Sequence, residues 1–228
     1  MGPNLTSFGG VIAPGNYGIL TLNGSHTLEH GVCFATLILR GSARLRHCAG
    51  GRIVCDSGSL NCDGPIRVDS VSGAGHLHTR GDLHCMLMDF TGVFDGTGDV
   101  LCDTDLRFVG ALVGERSITA GRLNASGVFD ARAVKADDIT IEPFDSGLFA
   151  RHGITHFSRV SEIRDITGSK VEITRVRCQR IRAATVIIGE HCDVDHVIYR
   201  DECRLSPSSQ ATHIGREWPD YRWARRRA

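Results

Sequence analysis

The side chains best able to do chemistry in this chain are its histidines and cysteines. His76, His78 and His84 lie close together in the sequence, near enough to converge on a metal ion if one turn of backbone presented all three. Alternation works against this. His76 and His78 flank Leu77 and point the same way in an extended segment, and His84 belongs to another part of the turn, so solvated imidazoles are the plainer reading. The nine cysteines are an odd number, and none forms a C-x-x-C pair, the spacing by which zinc and iron–sulfur sites usually declare themselves. Cys85 and Cys102 fall at the same place in two consecutive glycine-marked repeats. Stacked small side chains explain that spacing, with a disulfide or a shared metal as the alternative. No metal or cofactor is expected.

Asp56 with Asp63, or Asp82 with Asp89, could supply the paired carboxylates that cleave glycosidic bonds, yet the turns between them are too short to wall a groove. The chain has no G-x-S-x-G, no G-x-x-x-x-G-K-[ST] and no H-E-x-x-H. Catalysis is therefore not expected. Arg175, Arg177, Arg180 and Arg182 alternate with Val176, Cys178 and Ile181 and predict an outward basic strip, either a solvated face or a contact for an acidic partner or polymer. Five arginines and the aromatics Trp218, Tyr221 and Trp223 give residues 206–228 the character of a basic tail that would suit a membrane surface or an acidic partner.

These residues are spaced by a repeat. Gly24, Gly41, Gly58, Gly75, Gly92, Gly110 and Gly127 recur with a single period of about 17 residues, lengthened by one between Gly92 and Gly110. A period this short leaves room for one coil of strand per repeat, the mark of a solenoid. Two residues after each glycine stand His26, Ala43, Leu60, Leu77, Phe94, Leu112 and Phe129; eight after, Val32, Ala49, Ile66, Leu83, Val100 and Ile118. Thirteen after come Leu37, Val54, Val71, Met88 and Leu123, with Leu106 one place late. Three apolar ladders predict three inward faces, and glycine at each corner supplies the bend. The extra residue of the fifth repeat should widen a corner at Asp103–Asp105.

Lys and Arg total 26 and Asp and Glu 26, a neutral balance that argues against a chain devoted to nucleic acid, and no nucleic-acid partner is expected. No apolar run is long enough to span a membrane, and no secretion signal is evident at the N-terminus, so a cytoplasmic protein is expected, with peripheral attachment to the inner face of the membrane as an option. The organisation read from the sequence is an arm or cap over 1–16, a main β-helix over 17–142, a linker over 143–160 where the glycine rhythm breaks, a second shorter stack over 161–205, and the tail.

The glycine-punctuated coils, from Tyr17-Gly18-Ile19-Leu20-Thr21-Leu22-Asn23-Gly24 through Ala43-Arg44-Leu45, resemble bactofilins, bacterial polymer-forming cytoskeletal proteins built on a right-handed parallel β-helix. The stretches from Glu162 to Thr174 and from Arg182 to Asp201 are more similar still to the longer bactofilin-like proteins of bacilli. The resemblance implies an all-β, right-handed parallel β-solenoid of short three-sided coils, each of the length that the glycine period marks. It also implies a non-enzymatic scaffold that polymerises without nucleotide, alone or with other bactofilin-like proteins, in cell shape, envelope organisation or motility. Leu20, Leu22, Val186 and Ile188, near the limits of the visible repeats, are the expected assembly contacts. Two other readings are a trimeric hexapeptide-type acyltransferase, whose six-residue register the 6, 5, 6 spacing of the ladders breaks, and a solenoid binding module for a protein or polysaccharide.

Overall fold

The computed structural model describes residues 2–144 and 159–216, without the side chain of Cys48. Among these residues the chain is all strand and turn, with no helix. The strands, in chain order, are β1 (Leu5–Ser7), β2 (Gly10–Ile12), β3 (Gly15–Leu28), β4 (Val32–Leu45), β5 (Cys48–Cys62), β6 (Ile66–Thr79), β7 (Leu83–Gly96) and β8 (Val100–Leu112). They continue as β9 (Ser117–Phe129), β10 (Ala131–Lys135), β11 (Asp138–Glu142), β12 (Ser161–Ile173), β13 (Val176–Ile188), β14 (Asp193–Leu205) and β15 (Gln210–Gly215). Every pairing is parallel and joins neighbouring coils, so the sheet winds into a β-solenoid.

One inward column runs through the whole stack. Its rungs are Leu5, Leu20, Leu37, Ile53, Val71, Met88, Leu106, Leu123, Ile139, Val171, Val186 and Cys203, each the register partner of the next. At ~4.8 Å per step this column is roughly 50 Å long. The segment over 161–205 therefore stacks directly on the first coils, with β12 hydrogen-bonded to both β10 and β11, and β15 carries the ladder past 205 into what the sequence marked as tail. Before β3, the strands β1 and β2 lie on it as the outermost coil among the described residues. Of the expected linker and basic tail, residues 145–158 and 217–228 lie outside the described residues.

Most sides carry two inward residues, not one, because alternation puts both i and i+2 on the core face. In β6 these are Ile66 and Val68 on one side and Leu77 and Thr79 on another, whereas on the side between them Val71 is buried and Gly73 is exposed. The second position on each side is where bulk is balanced. Gly73 pairs with Phe90, Phe90 stacks on Phe108 at 6.4 Å between centroids, and Phe108 pairs with Ala125. Gly50 likewise makes room for Phe34, whose ring lies 2.3 Å from where a Cβ would sit. A single hydrophobic cluster runs from Ile12 to Val197.

Two ladder assignments are corrected. Ala49 is exposed and Val54 only half-buried, while Ile53 is fully buried in its place. Relative to β4, β5 has one residue fewer between Leu45 and Ala49 and one more between Cys55 and Ser59. The second change forces Ser57 to a φ of 63°. The two cancel, so Gly41 and Gly58 stay one period apart while the strand between them slips by one. The extra residue of β8 falls at the expected corner, where the register shifts between Cys102 and Asp105.

The coil shortens after β9, to sixteen residues at β10 and β11 and to fifteen between β12 and β13, and widens again to sixteen and then seventeen at β14 and β15. Ser161, Ile166, Val171, Val176, Ile181 and Val186 are inward at intervals of five, and Ser161 pairs with Val176, three such intervals on. With five residues on each side the corners are tight, and Arg175 and His191 adopt φ values of 57° and 55°.

Candidate functional site

The glycines form a column. Gly24 pairs with Gly41, Gly58 with Gly75, Gly75 with Gly92, Gly92 with Gly110 and Gly110 with Gly127. A Cβ on Gly58 would meet the Gly41 carbonyl oxygen at 2.4 Å, which links the two halves of the column. These residues are structural: they let neighbouring corners approach along the axis. Beyond Gly127, Ile141 and Glu142 keep register with Ala125 and Ser126, so Pro143 stands at the next step and the chain departs there.

Leu20, Leu22, Val186 and Ile188 are core residues, at most 1% exposed, with strands on both sides. None can serve as an end-surface contact. The ends lie one coil further out than the periodic signal reaches. At the N-terminal end, β1 and β2 have no strand over their outer edge among the described residues, and Phe8 and Val11 are 80% and 65% exposed. This coil is fastened by the Asn4 side-chain oxygen, which accepts from the Ile19 N–H at 2.8 Å, and by Ser7 Oγ, 2.9 Å from Nε2 of buried His26. Residues 2–14 contain no charged side chain. At the C-terminal end β15 covers β14 only as far as Ile198. The remaining stretch carries partly exposed Leu205 and Cys203 among Asp201, Glu202 and Arg204, and Ile214 is exposed beside it. Charge is the usual device by which a strand edge is kept from pairing. The C-terminal edge has it, and the N-terminal edge does not.

Along the sides, charges pair from coil to coil. Arg40 reaches Asp56, Arg44 and Arg80 both reach Asp63, and Arg122 reaches Asp105. The expected basic strip is divided in the same way: Arg177 lies between Glu162 and Asp193, and Arg180 against Asp165. With two of its four arginines already paired, the strip offers less to an acidic partner. Such exposed pairs add under about 1 kcal/mol each, and favour register more than stability.

The histidines do not converge. His78 Nδ1 is 2.5 Å from Asp95 Oδ1 and His76 Nε2 is 3.2 Å from Asp95 Oδ2, while His84 bonds Asp103 at 3.1 Å on another face. Two further pairs stack along the axis, His30 on His47 and His196 on His213. Among the described residues no group of three or more His, Cys, Asp or Glu side chains is placed to hold a metal ion. Partial burial pushes the Asp95 carboxyl up, but hydrogen bonds from His78 and His76 outweigh it and leave the group below its ordinary value. A carboxylate depressed in the fold stabilises above its unfolded pKa, and that contribution is lost as pH falls through the folded value. Asp95→Asn should therefore cost under about 1 kcal/mol at pH 6, and the difference from the parent should shrink as pH falls through the carboxylate range and vanish once the Asp95 carboxyl is protonated in the fold. Thermal melts of both proteins across that range check this.

Sequence reasoning had no signal for Arg116. This arginine is wholly buried, its guanidinium 4.3 Å from the centre of the Phe94 ring and donating to Thr79 Oγ1 at 3.3 Å. It fills the interior beside Gly96 and Gly114, which have no side chains to do so; a Cβ on Gly114 would lie 3.4 Å from Nη2. Nε and Nη2 find no partner, and burial brings the group down to about 10. An arginine next to a glutamate at a corner, as in Gly114-Glu115-Arg116, reads as surface in any sequence.

Compared with protein-family models, curated proteins and solved structures, the chain matches none of them.

Proposed function

We propose that the protein is a structural scaffold, not an enzyme, whose subunits join end to end through their terminal coils into filaments that need no nucleotide. The observation that carries this reading is the N-terminal coil, a strand edge with no charge over residues 2–14 and with Phe8 and Val11 in solvent. A further strand added there would satisfy the open amide and carbonyl groups and continue the parallel ladder that runs through the stack. The sides support the same reading, since many of their charges pair between coils, whereas the N-terminal edge has no strand over it among the described residues. The resemblance of the coils to bactofilins adds a bacterial cytoskeletal setting, at the cytoplasmic side of the envelope and in cell shape or motility. No described helix is long and apolar enough to cross a membrane.

The test is sedimentation velocity over a concentration series without nucleotide. The parent chain should sediment as a broad, concentration-dependent distribution. Thr6→Lys with Val11→Lys, which charges the open edge and leaves the core untouched, should shift it to monomer or short oligomers. Leu205→Lys should have a smaller effect, because that end already carries charge. A single monomer boundary for the parent at every concentration would contradict the proposal.

A further inference from the structure

Cys85 in β7 and Cys102 in β8 are the one pair of cysteines facing each other across a strand register among the described residues. Register partners on adjacent strands lie ~4.8 Å apart, inside the Cα separation of about 4.4–6.8 Å that a disulfide spans. Both side chains point inward and are 1% exposed. Two features set the pair apart from the other buried thiols. The wall beside it is interrupted, because the extra residue of β8 breaks the ladder directly after Cys102. Cys85 also lines a solvent-open groove of about 390 Å³ with Arg67, Asp69, His84, Met86 and Asp103. The groove brings a small neutral oxidant up to Cys85, and the interrupted wall is where it would enter.

We propose that Cys85 and Cys102 are a redox site, closed by a hydroperoxide into a disulfide that staples β7 to β8. The electronic arrangement suits the reaction. The Cys85 thiol donates to the Cys102 sulfur, which, against the opposing effect of burial and with help from the Thr104 and Met88 N–H groups, holds Cys102 below the ordinary thiol value. The same hydrogen bond and burial push Cys85 up. Cys102, whose S–H lies 3.1 Å from the Asp105 carbonyl oxygen and 3.5 Å from that of Met86, is the more acidic thiol of the pair and attacks as its thiolate once that proton leaves, with Cys85 the proton carrier. The Cys102 thiolate attacks one oxygen of hydrogen peroxide, the O–O bond breaks, and Cys102 becomes a sulfenic acid as hydroxide leaves. The Cys85 sulfur then displaces the sulfenic hydroxyl, forming the S–S bond; its proton goes to the departing oxygen. Two thiols and one peroxide become one disulfide and two waters. By contrast, burial pushes Cys55 up to about 11 and Cys178 up to about 12, and neither faces another cysteine across a strand. This site does not depend on the assembly reading.

The experiment treats the full chain with one equivalent of hydrogen peroxide, alkylates it in denaturant and cleaves it before aspartate; Asp89, Asp95 and Asp99 separate the two cysteines. Mass spectrometry should find the two peptides linked and lighter by two hydrogens, ahead of any oxidation at the more exposed Cys33 and Cys203, and dithiothreitol should release them. In Cys85→Ser the reaction should halt at a Cys102 sulfenic acid that dimedone traps. Oxidation confined to Cys33 and Cys203, with Cys85 and Cys102 both alkylated, would overturn the proposal. So would a folded Cys85→Ser protein in which Cys102 gives no dimedone adduct.

Discussion

Gly92→Ala lowers the stability of the fold by about 3 kcal/mol or more, a fall in Tm of roughly 6–12 °C for a chain of this size. Two costs add at this position. Its φ is 134°, which side chains with a Cβ avoid, and the new methyl would sit 2.0 Å from the Gly75 carbonyl oxygen in the coil beneath. The costs separate at other positions. Gly10 has a φ of 104° with nothing within 4 Å of its Cβ site, so Gly10→Ala should show the backbone cost alone, about 1–2 kcal/mol. Gly41 has no left-handed φ but would place a Cβ 2.3 Å from the Gly24 oxygen, so Gly41→Ala isolates the collision. Thermal melts of the three variants should put Gly92→Ala lowest. Equal losses at Gly10 and Gly92 would mean that the column is not packed as tightly as its geometry requires.

Phe94→Ala should cost about 3–5 kcal/mol, the usual loss for a buried aromatic. The ring is 0% exposed and also lies under the Arg116 guanidinium, which would be left without its aromatic face beside a new void. Arg116→Met should do the opposite. The guanidinium has buried nitrogens with no partner, and replacing a poorly compensated buried charge by an apolar chain of similar length is often neutral or stabilising. Chemical denaturation should show Arg116→Met unfolding at or above the parent midpoint and Phe94→Ala well below it. A large loss in Arg116→Met would show that the charge itself, not the volume, holds this part of the interior together.

How much of this was legible in the sequence depends on how many constraints met at one residue. Each marked glycine answers to a corner and to the glycine below it, so the column shows as a period. The first inward residue of each side, such as Leu77 or Leu83, shows for the same reason. The second does not, because that position alternates Gly73 with Phe90 or holds Thr79 and Cys62, sized to fit a neighbour one coil away and apolar only in part. Ala49 and Val54 were misplaced because two opposite one-residue changes in β5 cancel within a single glycine interval. The end surfaces were hidden by the same logic. The repeat is clear only where a coil has neighbours on both sides, which points to Leu22 and Val186, whereas a terminal coil such as 2–14 is shaped by having just one.

The central claim is that this ladder does not stop at the subunit boundary. Electron microscopy of the purified chain without nucleotide tests it most directly. The account predicts unbranched filaments one solenoid wide, with the strand spacing of ~4.8 Å continuing along the axis through the junctions, and their loss in the Thr6→Lys, Val11→Lys protein. A field of single particles roughly 50 Å long at high protein concentration, the same with and without those charges, would contradict it.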